Sequence, residues 1–71
     1  MSEADNPKGW AREWAIEVKK MRMQRGLTIT TVATLANVSR DTLSRYESFQ
    51  REPMLSKAMA ISDVLGMGIE W

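Results

Sequence analysis

The chain has 71 residues, a formal net charge of +1, and neither cysteine nor histidine. A chain this short predicts one small domain with a marginal core. The missing residue types exclude disulfides, thiol or imidazole catalysis and the usual zinc ligands, so we expect no enzyme, no metal and no cofactor. The apolar runs are too short to cross a membrane and the first six residues are too polar for a signal peptide, which predicts a cytoplasmic protein.

The charged residues are unevenly distributed along the chain. Residues 18–51 hold seven Lys or Arg and two Asp or Glu, a net +5, whereas residues 1–17 and residues 52–71 each carry a net −2. A basic middle between acidic ends predicts one positive face that attracts polyanions. The alternative is a solvated run of charge without a partner.

The first predicted helix begins at Asn6 and Pro7, where Asp5 or Asn6 can cap it and proline fits the first turn. Apolar residues then recur at helical spacing, at Trp10, Trp14, Val18 and Met21. Gly26 ends this helix as a C-cap. Residues 1–13 are predicted to be an N-terminal extension of helix 1, within a single domain that covers residues 1–71.

Two short helices follow, separated by a tight turn. Thr28 is the expected N-cap of helix 2, whose apolar residues are Val32, Ala33, Leu35 and Ala36. Helix 3 covers Arg40–Glu47 behind the N-cap Ser39. Residues 48–53 are polar and predict a loop.

The last long helix covers Leu55–Leu65 and ends at Gly66. Its predicted inner face consists of Leu55, Ala58, Met59, Ile61 and Leu65. Residues 69–71 begin a fifth helical turn. We expect Trp14, Met21, Met59 and Ile61 to be core residues, whereas Trp10 and Trp71, near the ends, are candidate dimer contacts.

Residues 29–48 have the spacing of a helix-turn-helix, a motif with several physical requirements. Ala33 is small enough for two steeply crossed helices to approach each other. Asn37 tolerates the positive φ that the tight turn demands, and Ser39 caps the second helix. The residues expected to face the rest of the domain are Val32, Ala36, Val38, Leu43 and Tyr46. The pattern predicts DNA binding, although some domains of this geometry bind no DNA.

Four segments resemble the phage Cro and repressor family, the lambda-repressor-like or Xre-type DNA-binding domains. "RMQRGLT" is similar to the family's Arg-x-x-x-Gly-Leu-Thr/Ser at the end of helix 1, and "VSRDTLSRYE" is similar to its recognition helix. "REP" and "ISDVLGMGIEW" resemble the segments that follow, so the resemblance covers about residues 14–71. It implies an all-α, five-helix domain that binds double-stranded operator DNA as a symmetric homodimer, with helix 3 in the major groove. It also implies a structural ion pair between Arg22 and Glu47.

The outward residues of helix 3 are the candidate base contacts, because Leu43 and Tyr46 are expected to point inward. The residues left facing outward match the family's base-reading positions and are Arg40, Asp41, Ser44 and Arg45. An arginine fits guanine O6 and N7, so Arg40 and Arg45 are the expected guanine readers. Asp41 either accepts a hydrogen bond from cytosine N4 or holds one of the arginines in place through a salt bridge.

Phosphate contacts are expected at the helix ends and in the loop after helix 3. The candidates are Thr28, Thr30, Thr31, Ser39, Thr42, Gln50 and Arg51. Lys19 and Lys20 are expected to add positive field without direct contacts. Two positions depart from the family, because Ile29 stands where a glutamine usually binds phosphate and Phe49 stands where a loop glycine is usual. The path of that loop and the role of Phe49 stay open.

We therefore predict a sequence-specific transcriptional regulator, a Cro-like repressor that acts as a homodimer on a palindromic operator. At this length we expect no sensor domain. The alternative is a protein-interaction module of the antitoxin or antirepressor-partner type that uses the surfaces of Trp10, Phe49 and Trp71. The resemblance implies a dimer contact at residues 67–71, and the region of Trp10 is the alternative. The operator sequence and the choice between repression and activation stay open.

Overall fold

The computed structural model describes residues 9–67, which form four α-helices: α1 (Trp10–Gln24), α2 (Ile29–Ala36), α3 (Arg40–Glu47) and α4 (Leu55–Leu65). The all-α prediction is confirmed for these residues, which contain no strand. The predicted count of five helices becomes four, because residues 69–71 lie outside the described range. The helices α2, α3 and α4 have the predicted bounds.

The start of α1 differs from the prediction. The helix begins at Trp10 behind Gly9 and not at Pro7, while Asp5, Asn6 and Pro7 lie outside the described residues. Gly9 has φ 59° and ψ −131°, far from helical values, so the regular helix does not continue back through it.

The helix α1 ends at Gln24 with Arg25 as its C-cap, one residue before the predicted cap Gly26. Gly26 follows the helix with φ 68°, a left-handed conformation that costs glycine little. The amide of Leu27 then donates to the carbonyl of Arg22 at 3.0 Å, which closes the helix end.

The hydrophobic core lies where the four helices meet. Its buried residues are Trp14, Ala15, Val18, Val32, Ala33, Ala36, Leu43, Tyr46, Ala58, Ile61 and Leu65. Trp10 and Met21 are partly buried and pack against this cluster. The rings of Trp14 and Tyr46 meet edge to face with their centroids 6.0 Å apart. This contact holds the inner face of α3 against α1.

A buried hydrogen bond joins α1 to α4. Trp14 Nε1 donates to Ser62 Oγ at 2.8 Å, and both side chains are buried. An indole N–H in a core requires an acceptor, because a buried donor without a partner is costly. Ser62 therefore occupies a core position that its polarity alone would assign to the surface.

The predicted inner face of α4 is wrong at two positions. Ala58, Ile61 and Leu65 are buried as expected, but Leu55 and Met59 are 50% and 53% exposed. Ser62 belongs to the buried stripe, and Met59 lies about 100° around the helix from Ala58, which turns it toward solvent. Leu55 is the first residue of α4, one turn before the first buried position.

The turn between α2 and α3 has the predicted conformation. Asn37 is left-handed, with φ 61° and ψ 42°, and the amide of Val38 donates to the carbonyl of Ala33 at 2.9 Å. Ala33 itself is buried at the helix crossing. Leu35 is the one member of the predicted apolar set of α2 that is exposed.

Substitution of Asn37 tests this turn. Asn37→Val is expected to lower the free energy of unfolding by about 1–2 kcal/mol, because a β-branched side chain clashes with the backbone at positive φ. Asn37→Gly is expected to leave stability equal or higher, since the side chain is exposed and glycine adopts this conformation freely. Urea unfolding of both variants measures the difference, and equal stabilities would contradict the conformational account.

Candidate nucleic-acid interface

The outward face of α3 brings together the four residues predicted to read bases. Arg40, Asp41 and Arg45 are exposed, and Ser44 is partly exposed. Their spacing of i, i+1, i+4 and i+5 places them on one side of the helix, opposite the buried Leu43 and Tyr46. The structure thus presents this set to solvent on a rigid helix, while its contacts with DNA stay a prediction.

Asp41 pairs with Arg45 on this face. Arg45 Nε lies 2.9 Å from an Asp41 carboxylate oxygen, an i,i+4 pair along α3. The two side chains are 52% and 74% exposed, so the pair adds little to stability, about 0.3–0.5 kcal/mol. The main effect of the pair is on geometry, because it holds the guanidinium of Arg45 over the outward face of α3. Of the two roles that the sequence leaves open for Asp41, this geometry favours positioning.

The N-termini of α2 and α3 carry matching pairs of hydroxyl groups. At α3, Ser39 Oγ accepts from the amide of Thr42 at 3.0 Å and donates to Thr42 Oγ1 at 2.7 Å. At α2, Thr28 Oγ1 accepts from the amide of Thr31 at 3.1 Å and donates to Thr31 Oγ1 at 2.9 Å. Both N-cap predictions are confirmed. In each pair the second hydroxyl, on Thr31 or Thr42, is also able to donate a hydrogen bond to an outside acceptor.

An ion pair fixes the far end of α3 to α1. Arg22 Nε and Nη2 donate to the two carboxylate oxygens of Glu47 at 2.8 and 3.0 Å, and Arg22 Nη1 donates to the Leu27 carbonyl at 2.9 Å. The side chains are only 13% and 5% exposed. This is the pair that the family resemblance implies. A bidentate, hydrogen-bonded pair of this kind fixes the orientation of the C-terminal end of α3 relative to α1.

The loop after α3 contains the remaining candidates for contact with DNA phosphates. Gln50 and Arg51 are exposed beside the C-terminal end of α3. Phe49 has φ 63°, so it keeps the left-handed conformation in which a glycine is usual. The loop therefore follows the glycine-type path even though its side chain is aromatic.

Ile29 opens α2 without a polar group for phosphate. It is half-buried and packs against the core, and its side chain lines a shallow cleft with Lys19 and Ser44. The polar side chains exposed at this end of α2 are those of Thr30 and Thr31, and their contact with phosphate stays a prediction.

The positive charge of residues 18–51 is largely free of internal compensation. Two of the seven cations, Arg22 and Arg45, have carboxylate partners. The other five have none among the described residues and are Lys19, Lys20, Arg25, Arg40 and Arg51. This excess supports the predicted positive face and its attraction for a polyanion.

A metal-binding cluster and a membrane-spanning helix are both absent from the described part of the chain. Within residues 9–67, no group of carboxylates is arranged to hold a metal ion. None of the helices in that range combines the length and apolar character needed to cross a membrane.

Comparison with known proteins agrees with this geometry. Residues 18–71, well over half of the chain, match the family model described as Helix-turn-helix. No curated protein matches the chain at a significant level. The chain belongs to the helix-turn-helix family of the Xre and lambda-repressor type and is a DNA-binding regulator.

Proposed function

We propose that this protein represses transcription by occupying operator DNA as a homodimer, with α3 in the major groove. The observation that carries the proposal is the outward face of α3, where Arg40 and Arg45 are exposed. The opposite face of the helix is buried in the core. The capped helix ends beside it, and Gln50 and Arg51 in the loop after it, supply groups suited to phosphate.

Base reading is assigned to the two arginines. Arg40 and Arg45 lie five residues apart, at two edges of one face, so each reads a guanine in a different base pair. Asp41 holds Arg45 at 2.9 Å and thereby orders its guanidinium before DNA arrives. Ser44, between them, is short enough to allow close approach and accepts or donates one hydrogen bond.

The proposed contacts with the DNA phosphates depend on which hydroxyl groups already donate a hydrogen bond within the protein. Thr28 and Ser39 already donate their protons to Thr31 and Thr42, which makes them caps first. Thr31 and Thr42 are the direct hydroxyl donors to phosphate in this proposal. The remaining contacts come from Thr30 at the start of α2 and from Gln50 and Arg51 in the loop.

The variant Thr42→Val tests this division of roles. It removes the hydroxyl while keeping the shape and the amide that Ser39 caps, so the fold is expected to persist. We expect DNA affinity to fall by about tenfold or more, because hydrogen bonds to charged groups are worth roughly 1.5–3 kcal/mol. Base preference and salt dependence are expected to stay the same, since the lost donor is neutral and contacts no base. A changed base preference in a binding assay would contradict the assignment.

The homodimer and its operator complete the proposal. Two recognition helices that read successive major-groove faces lie about 34 Å apart, one turn of DNA, and this favours a palindromic operator. We propose that the dimer contacts lie at residues 67–71 or near Trp10, which is partly buried and packs against the core. The described structure ends at Met67, so most of the first segment lies outside it.

A salt titration tests DNA binding itself. Fluorescence anisotropy with a labelled duplex between about 50 and 200 mM salt should show log affinity falling linearly with log salt, with a slope of about −0.9 per phosphate neutralised. A slope near zero would contradict the proposed phosphate contacts, because cations bound to DNA must release counterions.

A further inference from the structure

A groove runs along the outer side of α1 and reaches Phe49, just after the C-terminal end of α3. It has a volume of about 370 Å³ and lies between α1 and the residues that end α3. Its apolar side chains are Ile16, Met23 and Phe49, which are 49%, 62% and 36% exposed. Three large apolar side chains exposed together in one groove are typical of a binding surface.

The rim of this groove is positively charged. Lys19 and Lys20 line it and have no carboxylate partner among the described residues. At one end, the guanidinium of Arg12 lies 4.9 Å from the centroid of the Phe49 ring. The one carboxylate in the lining, that of Glu47, already binds Arg22 with both oxygens. Two cations in the lining, and a third on the Phe49 ring at its end, therefore have no available counter-charge within the lining.

The groove has the length of a short helix. Arg12 and Met23 are eleven positions apart on α1, which corresponds to about 16 Å along the helix axis. A partner helix of about 11 residues matches this length. Its apolar side chains would pack on Ile16, Met23 and Phe49, and acidic residues on its flanks would meet Arg12, Lys19 and Lys20.

We propose that this groove docks an acidic amphipathic helix of a second protein. The proposal does not depend on how α3 reads DNA. A DNA backbone would satisfy the cations but would gain nothing from three apolar side chains in the groove floor. A second copy docked by its own groove would bring three cations of one chain against three of the other, which electrostatic complementarity disfavours.

The position of Phe49 agrees with a binding role. The backbone there has φ 63°, a conformation that favours glycine, and the chain nevertheless places an aromatic ring at the groove. The same conformation makes Phe49→Gly a safe test variant, because it removes the ring and leaves the preferred backbone path in place.

Selection from a displayed library of helix-forming peptides about 11 residues long tests the proposal on the full chain. Enriched peptides should carry apolar residues at i, i+3 or i+4, and i+7, with Asp or Glu on both flanks. The strongest of them is then labelled, and its affinity for the variants is measured by fluorescence anisotropy. Ile16→Glu and Phe49→Gly should each weaken it by about tenfold or more, as expected for anchor positions.

Two further variants test the contribution of the lysine charges and the specificity of the groove for the peptide. The double variant Lys19→Gln and Lys20→Gln should weaken peptide binding and flatten its salt dependence. Met59→Ser, which removes an equally exposed apolar side chain from α4, should leave peptide affinity unchanged. Circular dichroism confirms that each variant is folded.

Two outcomes would overturn the proposal: a library that yields no acidic amphipathic sequence, and a peptide that binds Ile16→Glu as well as the parent. If acidic enrichment is absent, a loss of duplex DNA affinity of about tenfold in both Ile16→Glu and Phe49→Gly would assign the groove to DNA. Conversion of a dimer to a monomer by Ile16→Glu in sedimentation, again without acidic enrichment, would assign the groove to a second copy.

Discussion

Replacing Glu47 by alanine is expected to lower the free energy of unfolding by about 3–5 kcal/mol. Arg22 would keep its charge at a site where it is only 13% exposed, and two hydrogen bonds of 2.8 and 3.0 Å would lose their acceptor. A domain of 71 residues has a total stability of roughly 4–11 kcal/mol. The variant is therefore expected to be partly or fully unfolded at moderate temperature.

Urea unfolding followed by tryptophan fluorescence measures this loss, since Trp14 lies in the core. Asp41→Ala is the matched control, because it breaks an exposed ion pair and should cost less than about 0.5 kcal/mol. The double variant Arg22→Met and Glu47→Leu should recover much of the stability, since it leaves no buried charge. A Glu47→Ala cost close to that of Asp41→Ala would contradict the role of the pair in joining α1 to α3.

Arg45→Ala is expected to weaken operator binding by about 1–3 kcal/mol, or roughly 5–150-fold, and to relax specificity at one base pair. Arg40→Ala should have an effect of similar size at a different base pair, because the two side chains occupy different edges of the outward face. Neither residue belongs to the core, so the free energy of unfolding should change little. Measured affinities for a set of single-base operator variants give both the loss and its position.

Arg25→Ala is the control for charge alone. Arg25 is an exposed cation at the end of α1 and not on α3, so its loss should reduce affinity about equally for every sequence. If Arg40→Ala and Arg45→Ala instead behaved like Arg25→Ala, the arginines would not read bases. Unchanged DNA affinity in both, with a protein partner still bound, would favour the protein-interaction module.

The helix-turn-helix could be predicted because local residues determine it. Thr28 and Ser39 cap the two helices with their own hydroxyls, and Asn37 takes the left-handed turn without help from distant residues. The outward face of α3 follows from helical periodicity once Leu43 and Tyr46 are assigned to the core. The Arg22–Glu47 pair depended on the family resemblance, because nothing local joins residues 25 positions apart.

Features that depend on tertiary contacts could not be predicted from the sequence pattern. Ser62 is buried because Trp14 needs an acceptor, and that partnership spans 48 positions. Ser62 is buried and Met59 is exposed, so a periodicity count that treats serine as a surface residue and methionine as a core residue misassigns α4. The groove was missed for a similar reason, since Ile16 and Phe49 come together only when α3 packs on α1.

Selection of bound sequences from a random pool of duplex DNA tests the central claim most directly. The account predicts an enriched palindrome whose half-sites are centred about 34 Å apart, or one helical turn, with two conserved guanines in each half-site. In the same selection, Arg45→Ala should lose the preference for one of those guanines and keep the other. Enrichment of no sequence, or of a sequence whose guanine preferences survive both arginine substitutions, would contradict a homodimer that reads its operator with α3.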